Sequence, residues 1–164
     1  TRRSGGMHYT SIENIHKVID PLFLDDLKAE LEEILSIKAV QNRNKKLFDF
    51  QDKIASLNFL DPACGSGNFL TETYLSLRKL ENKCIETINA GQTVLGFDDV
   101  IKVSIRQFYG IEINDFAVTV AKTALWIAES QMMKATEDIV HMDLDFLPLK
   151  SYANIVPCLR ERIG

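Results

Sequence analysis

The sequence predicts an α/β fold in which a helical N-terminal segment precedes a parallel sheet. Two observations carry this prediction. Residues 1–57 show the apolar spacing of helices, whereas residues 58–164 alternate between short apolar runs and longer stretches with helical spacing. A strand–helix–strand order is typical of parallel sheets, because helical crossovers join their strands.

The N-terminal segment is expected to form a polar opening loop and three helical stretches. The loop spans residues 1–10, and the first helix starts at about Ser11 and is interrupted near Pro21, since proline disrupts a helix interior. The next stretch places four apolar side chains on one face: Leu24, Leu27, Leu31 and Ile34. We interpret the acidic residues between them as the solvated face of that helix rather than as a metal site. A third helix is predicted at residues 44–56.

The second segment is expected to alternate strands and helices. In order, the elements are a strand at residues 58–60, a helix at 68–83, a mixed connection at 89–104, a strand within 105–113 and a helix from Asn114 or Asp115 to about Met133. The short side chain of Asn114 or Asp115 suits a helix N-cap. The last helix carries small residues on one face, which allows close packing against a sheet: Ala117, Ala121, Ala124 and Ala128. Weaker strand candidates lie at residues 139–142 and 153–156.

Composition argues against a membrane protein and gives no sign of a metal site. No apolar run approaches the roughly 18 residues of a membrane-spanning helix, and no secretory signal opens the chain. The three cysteines and three histidines are scattered without metal-ligand spacing. We therefore expect no metal, and free thiols at Cys64, Cys84 and Cys158 in a reducing cytoplasm. Because Thr1 is not an initiator methionine, the chain is expected to begin inside a longer gene product.

The strongest motif is the string Asp-Pro-Ala-Cys-Gly-Ser-Gly-Asn-Phe at residues 61–69, where a strand ends and a helix begins. Glycine tolerates positive φ and has no Cβ, so Gly65 and Gly67 would let the backbone turn sharply and come close to a ligand. The helix N-terminus behind the loop offers unpaired N–H groups to polar or anionic groups. A Gly-x-Gly alone indicates only a tight turn, but the full string in this strand–helix setting is far more specific.

Glu112 ends the second predicted strand, within Gly-Ile-Glu-Ile at residues 110–113. In doubly wound folds an acidic residue at this position accepts hydrogen bonds from ribose hydroxyls. An isolated glutamate is more often a surface carboxylate, but this one follows a glycine-loop unit in the right order. The separation from Gly67 exceeds the roughly 20 residues of compact dinucleotide-binding units, and the long helix and connection between them account for the excess.

These segments together resemble the adenine-N6 DNA methyltransferases of restriction–modification systems, above all the large single-chain restriction–methylation enzymes. Gly-Met-His-Tyr-Thr-Ser at residues 6–11 resembles the N-terminal cofactor motif of that family. Residues 60–70 resemble its motif I, and residues 108–113 with Ala124-Leu125-Trp126 resemble motif II and its helix. The resemblance implies a Rossmann-like core of the class I methyltransferases that use S-adenosylmethionine. A partial parallel sheet at 58–164 would then follow the cofactor motif and helices at 1–57.

The resemblance also implies which residues bind S-adenosylmethionine. Tyr9 and Thr10 would close over its methionine end; an ordinary loop with Thr10 or Ser11 as helix cap is the alternative. Glu112 would bind the ribose, and Ile113 would lie against the adenine ring. The amino acid moiety would be held by Asp61 and five loop residues: Ala63, Cys64, Gly65, Ser66 and Gly67.

The catalytic motif of the family, Asn/Asp-Pro-Pro-Tyr/Phe, does not occur in this sequence. The four prolines are not adjacent to one another: Pro21, Pro62, Pro148 and Pro157. No catalytic residue is therefore assigned, and the chain alone is expected to be inactive. Its net charge is −4, with no evident basic patch. DNA, the expected partner, should therefore be bound mainly through other regions.

The contact to the adenine of the cofactor is left open by the sequence. Asp145-Phe146-Leu147 resembles the family's motif for this contact, but the Leu-Pro-Leu segment that normally precedes the motif comes after Asp145, at residues 147–149. In that register the contact falls near residues 157–159, where no suitable polar side chain occurs. The tail at residues 157–164 does not resemble the family.

Three other functions remain to be weighed. A protein-glutamine or RNA amino-methyltransferase would share the cofactor-binding half, although the Gly-x-His-Tyr-Thr block before motif I favours the DNA enzymes. A nicotinamide-dependent oxidoreductase expects Gly-x-Gly-x-x-Gly, whereas Leu70 stands at the last glycine position. A non-enzymatic specificity or assembly module would not be expected to keep an intact glycine loop and Glu112.

Overall fold

Three parallel strands form the sheet in the computed structural model, which describes residues 10–90, 100–140 and 153–158. The strands are β1 (Phe59–Asp61), β2 (Phe108–Glu112) and β3 (Asn154–Pro157). The helices are α1 (Ile12–Ile19), α2 (Asp25–Leu35), α3 (Val40–Ser56), α4 (Asn68–Asn89) and α5 (Asp115–Val140). Strand β2 lies between β1 and β3, which is the order of one half of a doubly wound sheet. The predicted α/β fold with N-terminal helices is confirmed.

A π-helical segment (Asp20–Leu24) joins α1 to α2 without ending the helix. Pro21 lies in its first turn. Because proline has no N–H to donate, the wider hydrogen-bonding pattern accommodates it within a continuous helical run. The predicted interruption near Pro21 is therefore a local change of helical geometry. At the start of α1, the Ser11 side chain accepts a hydrogen bond from Asn14 N–H at 3.3 Å and caps the helix.

Three helices are longer than the sequence predicts. Helix α3 starts at Val40 rather than at residue 44, because Arg43 N–H bonds to Ala39 O at 2.9 Å in a first turn without buried apolar side chains. Helix α4 runs to Asn89 rather than 83, and α5 runs to Val140 rather than Met133. The strand candidate at residues 139–142 is therefore wrong for its first two residues, and the other two lie outside the described residues. The candidate at 153–156 is confirmed by β3.

Helices α4 and α5 cover one face of the sheet. Phe108, Gly110 and Ile155 face these helices and are buried, whereas Leu60, Tyr109 and Val156 on the opposite face are exposed. This alternation is what the two-residue period of a strand produces. Parallel sheets are normally covered on both faces, whereas the described helices cover only one face of this sheet.

A buried polar network holds α4 to α5 and to the chain that leads into β2. The fully buried Arg78 forms an ion pair with Glu81 and donates a hydrogen bond to Thr136 Oγ1 at 2.7 Å. Glu81 Oε1 accepts hydrogen bonds from the N–H groups of Lys102 (2.6 Å) and Val103 (3.1 Å). Thr136 lies beyond Met133, so this network explains why α5 continues past the predicted end.

The described residues form no helix with the length and apolar character needed to cross a membrane. Nor does any group of three or more His, Cys, Asp or Glu among residues 10–90, 100–140 and 153–158 have the arrangement of a metal site. Cys64 and Cys84 are buried free thiols, and Cys158 is an exposed one. Burial raises the pKa of Cys84 to about 12, so this thiol is a core residue rather than a reactive group.

Candidate functional site

The glycine loop and Glu112 meet at the carboxyl ends of β1 and β2. Asp61 at the end of β1 lies in register with Gly110, which places the loop that follows β1 beside the last residues of β2. The loop is fastened to β2 by a backbone hydrogen bond from Cys64 N–H to Ile111 O at 3.0 Å. In open α/β sheets, ligands bind outside the carboxyl ends of the strands. The two strongest sequence motifs are therefore brought together where a ligand is expected.

The Glu112 carboxylate is the centre of this arrangement. Its Oε2 accepts a hydrogen bond from Gly65 N–H at 2.9 Å. Its Oε1 accepts from the N–H groups of Ile113 (2.7 Å) and Asn114 (2.9 Å). A carboxylate has about four lone-pair sites, so three accepted bonds leave capacity for a further donor. Glu112 thus fixes the glycine loop and still has capacity for a ligand. The sequence did not indicate the first of these two roles.

Asp61 shapes the entrance to the loop. Its Oδ1 accepts a hydrogen bond from Ala63 N–H at 3.0 Å, an aspartate turn that reverses the chain directly after β1. A second turn follows, closed by Gly67 N–H donating to Cys64 O at 2.8 Å. Ala63 is exposed and Ser66 is half-buried. The predicted loop residues therefore form two consecutive turns between β1 and α4.

The two glycines of the loop have different surroundings. Both have positive φ, +54° at Gly65 and +79° at Gly67, which favours glycine at each position. A Cβ on Gly67 would lie 2.9 Å from the Ala121 Cβ on α5, whereas a Cβ on Gly65 would meet no described atom within 4 Å. Gly67 is thus required for close packing of the loop against α5, and Gly65 faces open space. Space for the predicted close approach of a ligand therefore exists at Gly65, while packing is the first constraint on Gly67.

Cys64 contributes shape rather than reactivity. Its buried side chain fills the space beside β2, where a Cβ on Gly110 would lie 2.7 Å from the Cys64 Sγ. Burial, reinforced by the negative charges of Asp61 and Glu112, raises the pKa of this thiol to about 11. The thiol therefore stays protonated at neutral pH and is not poised as a nucleophile.

The N-terminus of α4 faces the loop without a capping side chain. Gly67 occupies the cap position, and no side-chain hydrogen bond caps this end of the helix. The first N–H groups of a helix have no partner within the helix and carry partial positive charge. They suit a carboxylate or another polar group of a ligand placed against Gly65.

Two exposed apolar side chains flank Glu112. Ile113, predicted to contact a ring, is 63% exposed, and Phe116 is 67% exposed. Phe116, four residues after Glu112, was not among the predicted site residues, and its exposure makes it a further candidate. Asn114 decides between the two predicted N-caps of α5, since its Oδ1 accepts hydrogen bonds from Phe116 N–H (2.9 Å) and Ala117 N–H (3.3 Å).

The remaining predicted positions are only partly described. Tyr9 and Asp145 lie outside the described residues, and Thr10 is half-buried directly before the Ser11 cap. Cys158 N–H donates to Glu112 O at 2.7 Å, which places the end of β3 beside Glu112. The register that places the adenine contact near residues 157–159 stays a prediction.

Comparison with known proteins identifies the family. The family model described as MmeI, DNA-methyltransferase domain, matches residues 37–159. The match includes residues 157–159, so the prediction that the tail at 157–164 departs from the family is wrong for these residues. The chain is 47% identical to DNA methyltransferase A of Bacillus subtilis (strain 168) over 137 residues, which is 83% of this chain and 15% of that protein.

A solved structure supports the same assignment. The chain resembles the type IIL restriction–modification enzyme MmeI, solved in complex with DNA, with a TM-score of 0.81 and 41% identity. The likeness covers 92% of this chain and 20% of the MmeI chain. The Rossmann-like fold that the sequence predicts is thereby confirmed, and the chain spans about a fifth or less of either relative. It belongs to the family of the MmeI DNA-methyltransferase domain.

Proposed function

We propose that this chain is the S-adenosylmethionine-binding part of an enzyme that methylates the N6 amine of adenine in DNA within a restriction–modification system. The observation that carries the proposal is the Glu112 carboxylate bonded to the glycine loop at the ends of two parallel strands. Family membership selects methyl transfer and DNA among the uses of such a site. It also favours DNA over the protein-glutamine and RNA substrates that the sequence left to be weighed.

The residues fit S-adenosylmethionine in polarity and in shape. The space in front of Gly65, which a Cβ would begin to fill, and the uncapped start of α4 suit the amino acid moiety next to Asp61. The remaining lone pair of Glu112 suits a ribose hydroxyl. The exposed Ile113 offers an apolar surface for the adenine ring. Tyr9 and Thr10 are proposed to close over the methionine end.

The proposed reaction needs groups that this sequence does not contain. When bound, the cofactor supplies an electrophilic methyl group on a sulfonium. The exocyclic amine of adenine is a poor nucleophile because its lone pair is delocalised into the ring, and the base must be flipped out of the duplex and held by its edge. Without the Asn/Asp-Pro-Pro-Tyr/Phe motif, this chain would bind and orient the cofactor, and other parts of the enzyme would hold the base.

DNA binding is also proposed to lie mainly elsewhere. Phosphate contacts require clustered Lys and Arg, and sequence readout requires contacts to base edges. The chain has 19 Lys and Arg against 23 Asp and Glu. Such a balance does not favour a polyanion as the main partner of this segment.

We expect no transfer of labelled methyl from S-adenosylmethionine to DNA by this chain alone. A longer version that contains the catalytic motif and the recognition region should be active. N6-methyladenine measured by mass spectrometry in digested DNA identifies the product. N6-methyladenine formed by the chain itself would show that the catalytic residues have been misplaced, and 5-methylcytosine as the product of the longer enzyme would contradict the adenine assignment.

A further inference from the structure

The His16 ring lies between two carboxylates from different parts of the chain. Its Nδ1 is 2.7 Å from Asp20 Oδ1 in the π-helical segment, and its Nε2 is 2.8 Å from Glu72 Oε1 on α4. Helix α1 packs against α4, and the ring spans this contact. The Glu72 side chain is only 10% exposed. His16 is its hydrogen-bond partner among the described residues.

This geometry requires the doubly protonated ring. Ionised carboxylates only accept hydrogen bonds, and a neutral imidazole has a single N–H. Both contacts can therefore be hydrogen bonds only when His16 is an imidazolium, and loss of one proton leaves a ring lone pair facing a carboxylate. The hydrogen bonds to Asp20 and then to Glu72 raise the pKa of His16 above its ordinary value of 6.5. An exposed pair would contribute little, but Glu72 is nearly buried and is left without this donor when the contact breaks.

The other charges near His16 do not replace it. Lys28 on α2 approaches Asp20 at 3.8 Å. On α1 itself, Lys17 pairs with Glu13 at 3.2 Å on the exposed side. Neither lysine is paired with Glu72, so the connection from α1 to α4 depends on the proton carried by His16.

Both ends of this connection adjoin the proposed cofactor site. Helix α1 starts at Ile12, directly after Thr10 and the Ser11 cap. Helix α4 starts at Asn68, where the glycine loop ends, and Glu72 lies in its second turn. We infer that His16 is a positioning residue: its protonated ring fixes the segment that carries Thr10 relative to the glycine loop and so strengthens S-adenosylmethionine binding. This inference rests on the proposed function.

The direction of the pH dependence follows from the raised pKa. The full connection is present below the ordinary histidine value of 6.5, and it is lost as the pH rises through the higher value of the folded chain. Cofactor affinity should fall over the same interval. We expect the loss of one charge-assisted hydrogen bond to weaken binding roughly tenfold.

The test is calorimetry of S-adenosylhomocysteine binding between about pH 6 and about pH 9 on the parent chain and on Glu72→Gln. The introduced amide can donate to a neutral Nε2 while Nδ1–H donates to Asp20, so the connection no longer needs the second proton. The parent should lose affinity as the pH rises, and Glu72→Gln should keep it. Asp20→Asn likewise replaces a carboxylate by an amide, which can donate to a neutral Nδ1 while Nε2–H donates to Glu72. It serves as the second variant if Glu72→Gln does not fold. Lys17→Gln, on the exposed side of α1, should behave as the parent.

Each outcome decides the inference. S-adenosylhomocysteine itself gains or loses protons over this pH range. Because this effect is the same for parent and variant, it cancels in the ratio of their dissociation constants at each pH. A ratio that does not change with pH overturns the positioning role, even if the variants lower the melting temperature. Absence of binding by the parent at every pH overturns the proposed function, and this inference with it.

Discussion

Gly67→Val should abolish cofactor binding and destabilise the fold, because the new side chain collides with α5. Its Cβ would lie 2.9 Å from the Ala121 Cβ and 3.2 Å from the Ala121 Cα. A branched side chain at a φ of +79° adds backbone strain. Strain of about 1–3 kcal/mol and overpacking of about 1–3 kcal/mol together predict a loss of about 2–6 kcal/mol in the free energy of unfolding. Urea denaturation measures this loss.

Gly65→Val is the matched control, because it makes the same chemical change two residues away. Its φ of +54° gives comparable strain, but no described atom lies within 4 Å of the added Cβ. We expect a smaller loss of stability, of about 1–3 kcal/mol, together with loss of S-adenosylmethionine binding, since the side chain would occupy the space proposed for the cofactor. Equal stabilities for Gly67→Val and the parent would contradict the packing of the loop against α5.

Glu112→Ala should weaken S-adenosylmethionine binding strongly while leaving the chain folded. The carboxylate accepts hydrogen bonds from Gly65, Ile113 and Asn114 N–H in the structure and is proposed to accept from the ribose as well. Hydrogen bonds to charged groups contribute about 1.5–3 kcal/mol, which corresponds to a roughly 10- to 150-fold higher dissociation constant. Titration calorimetry measures the change.

Asp115→Ala removes the same charge from an exposed neighbouring residue and controls for net charge. Among the described contacts, the Asp115 side chain makes none with the glycine loop, so its removal should leave affinity close to that of the parent. If Glu112→Ala binds as tightly as Asp115→Ala, the ribose assignment is wrong. Glu112→Gln should fall between the two, because the amide oxygen can still accept while the amide nitrogen cannot.

The sequence predicted the parts of the fold that depend on local patterns. The apolar spacing at residues 24–34, the short runs before Asp61 and Glu112, and the cap at Asn114 all depend on neighbours within a few positions. Each of these signals is retained when the chain folds, and the structure confirms them. The glycine loop and Glu112 were singled out for the same reason, since each is a short string of neighbouring residues; their roles in cofactor binding stay predictions.

The contacts that the sequence did not predict join residues far apart in the chain. Nothing near Gly67 indicates that its missing Cβ accommodates Ala121 on α5. The pairing of Arg78 with Glu81 has the spacing of a surface ion pair, and only the fold shows that both side chains are buried under α5. His16 and Glu72 are likewise ordinary polar residues until α1 packs on α4.

The proposed function depends above all on the binding of S-adenosylmethionine to the folded chain. Calorimetric titration with S-adenosylmethionine, and separately with NAD, distinguishes the methyltransferase site from a general nucleotide-binding loop. Saturation at 100 times the dissociation constant should add about 2.7 kcal/mol to the free energy of unfolding. We expect the chain to bind S-adenosylmethionine and not NAD. No interaction at millimolar S-adenosylmethionine, or tighter binding of NAD, would contradict it.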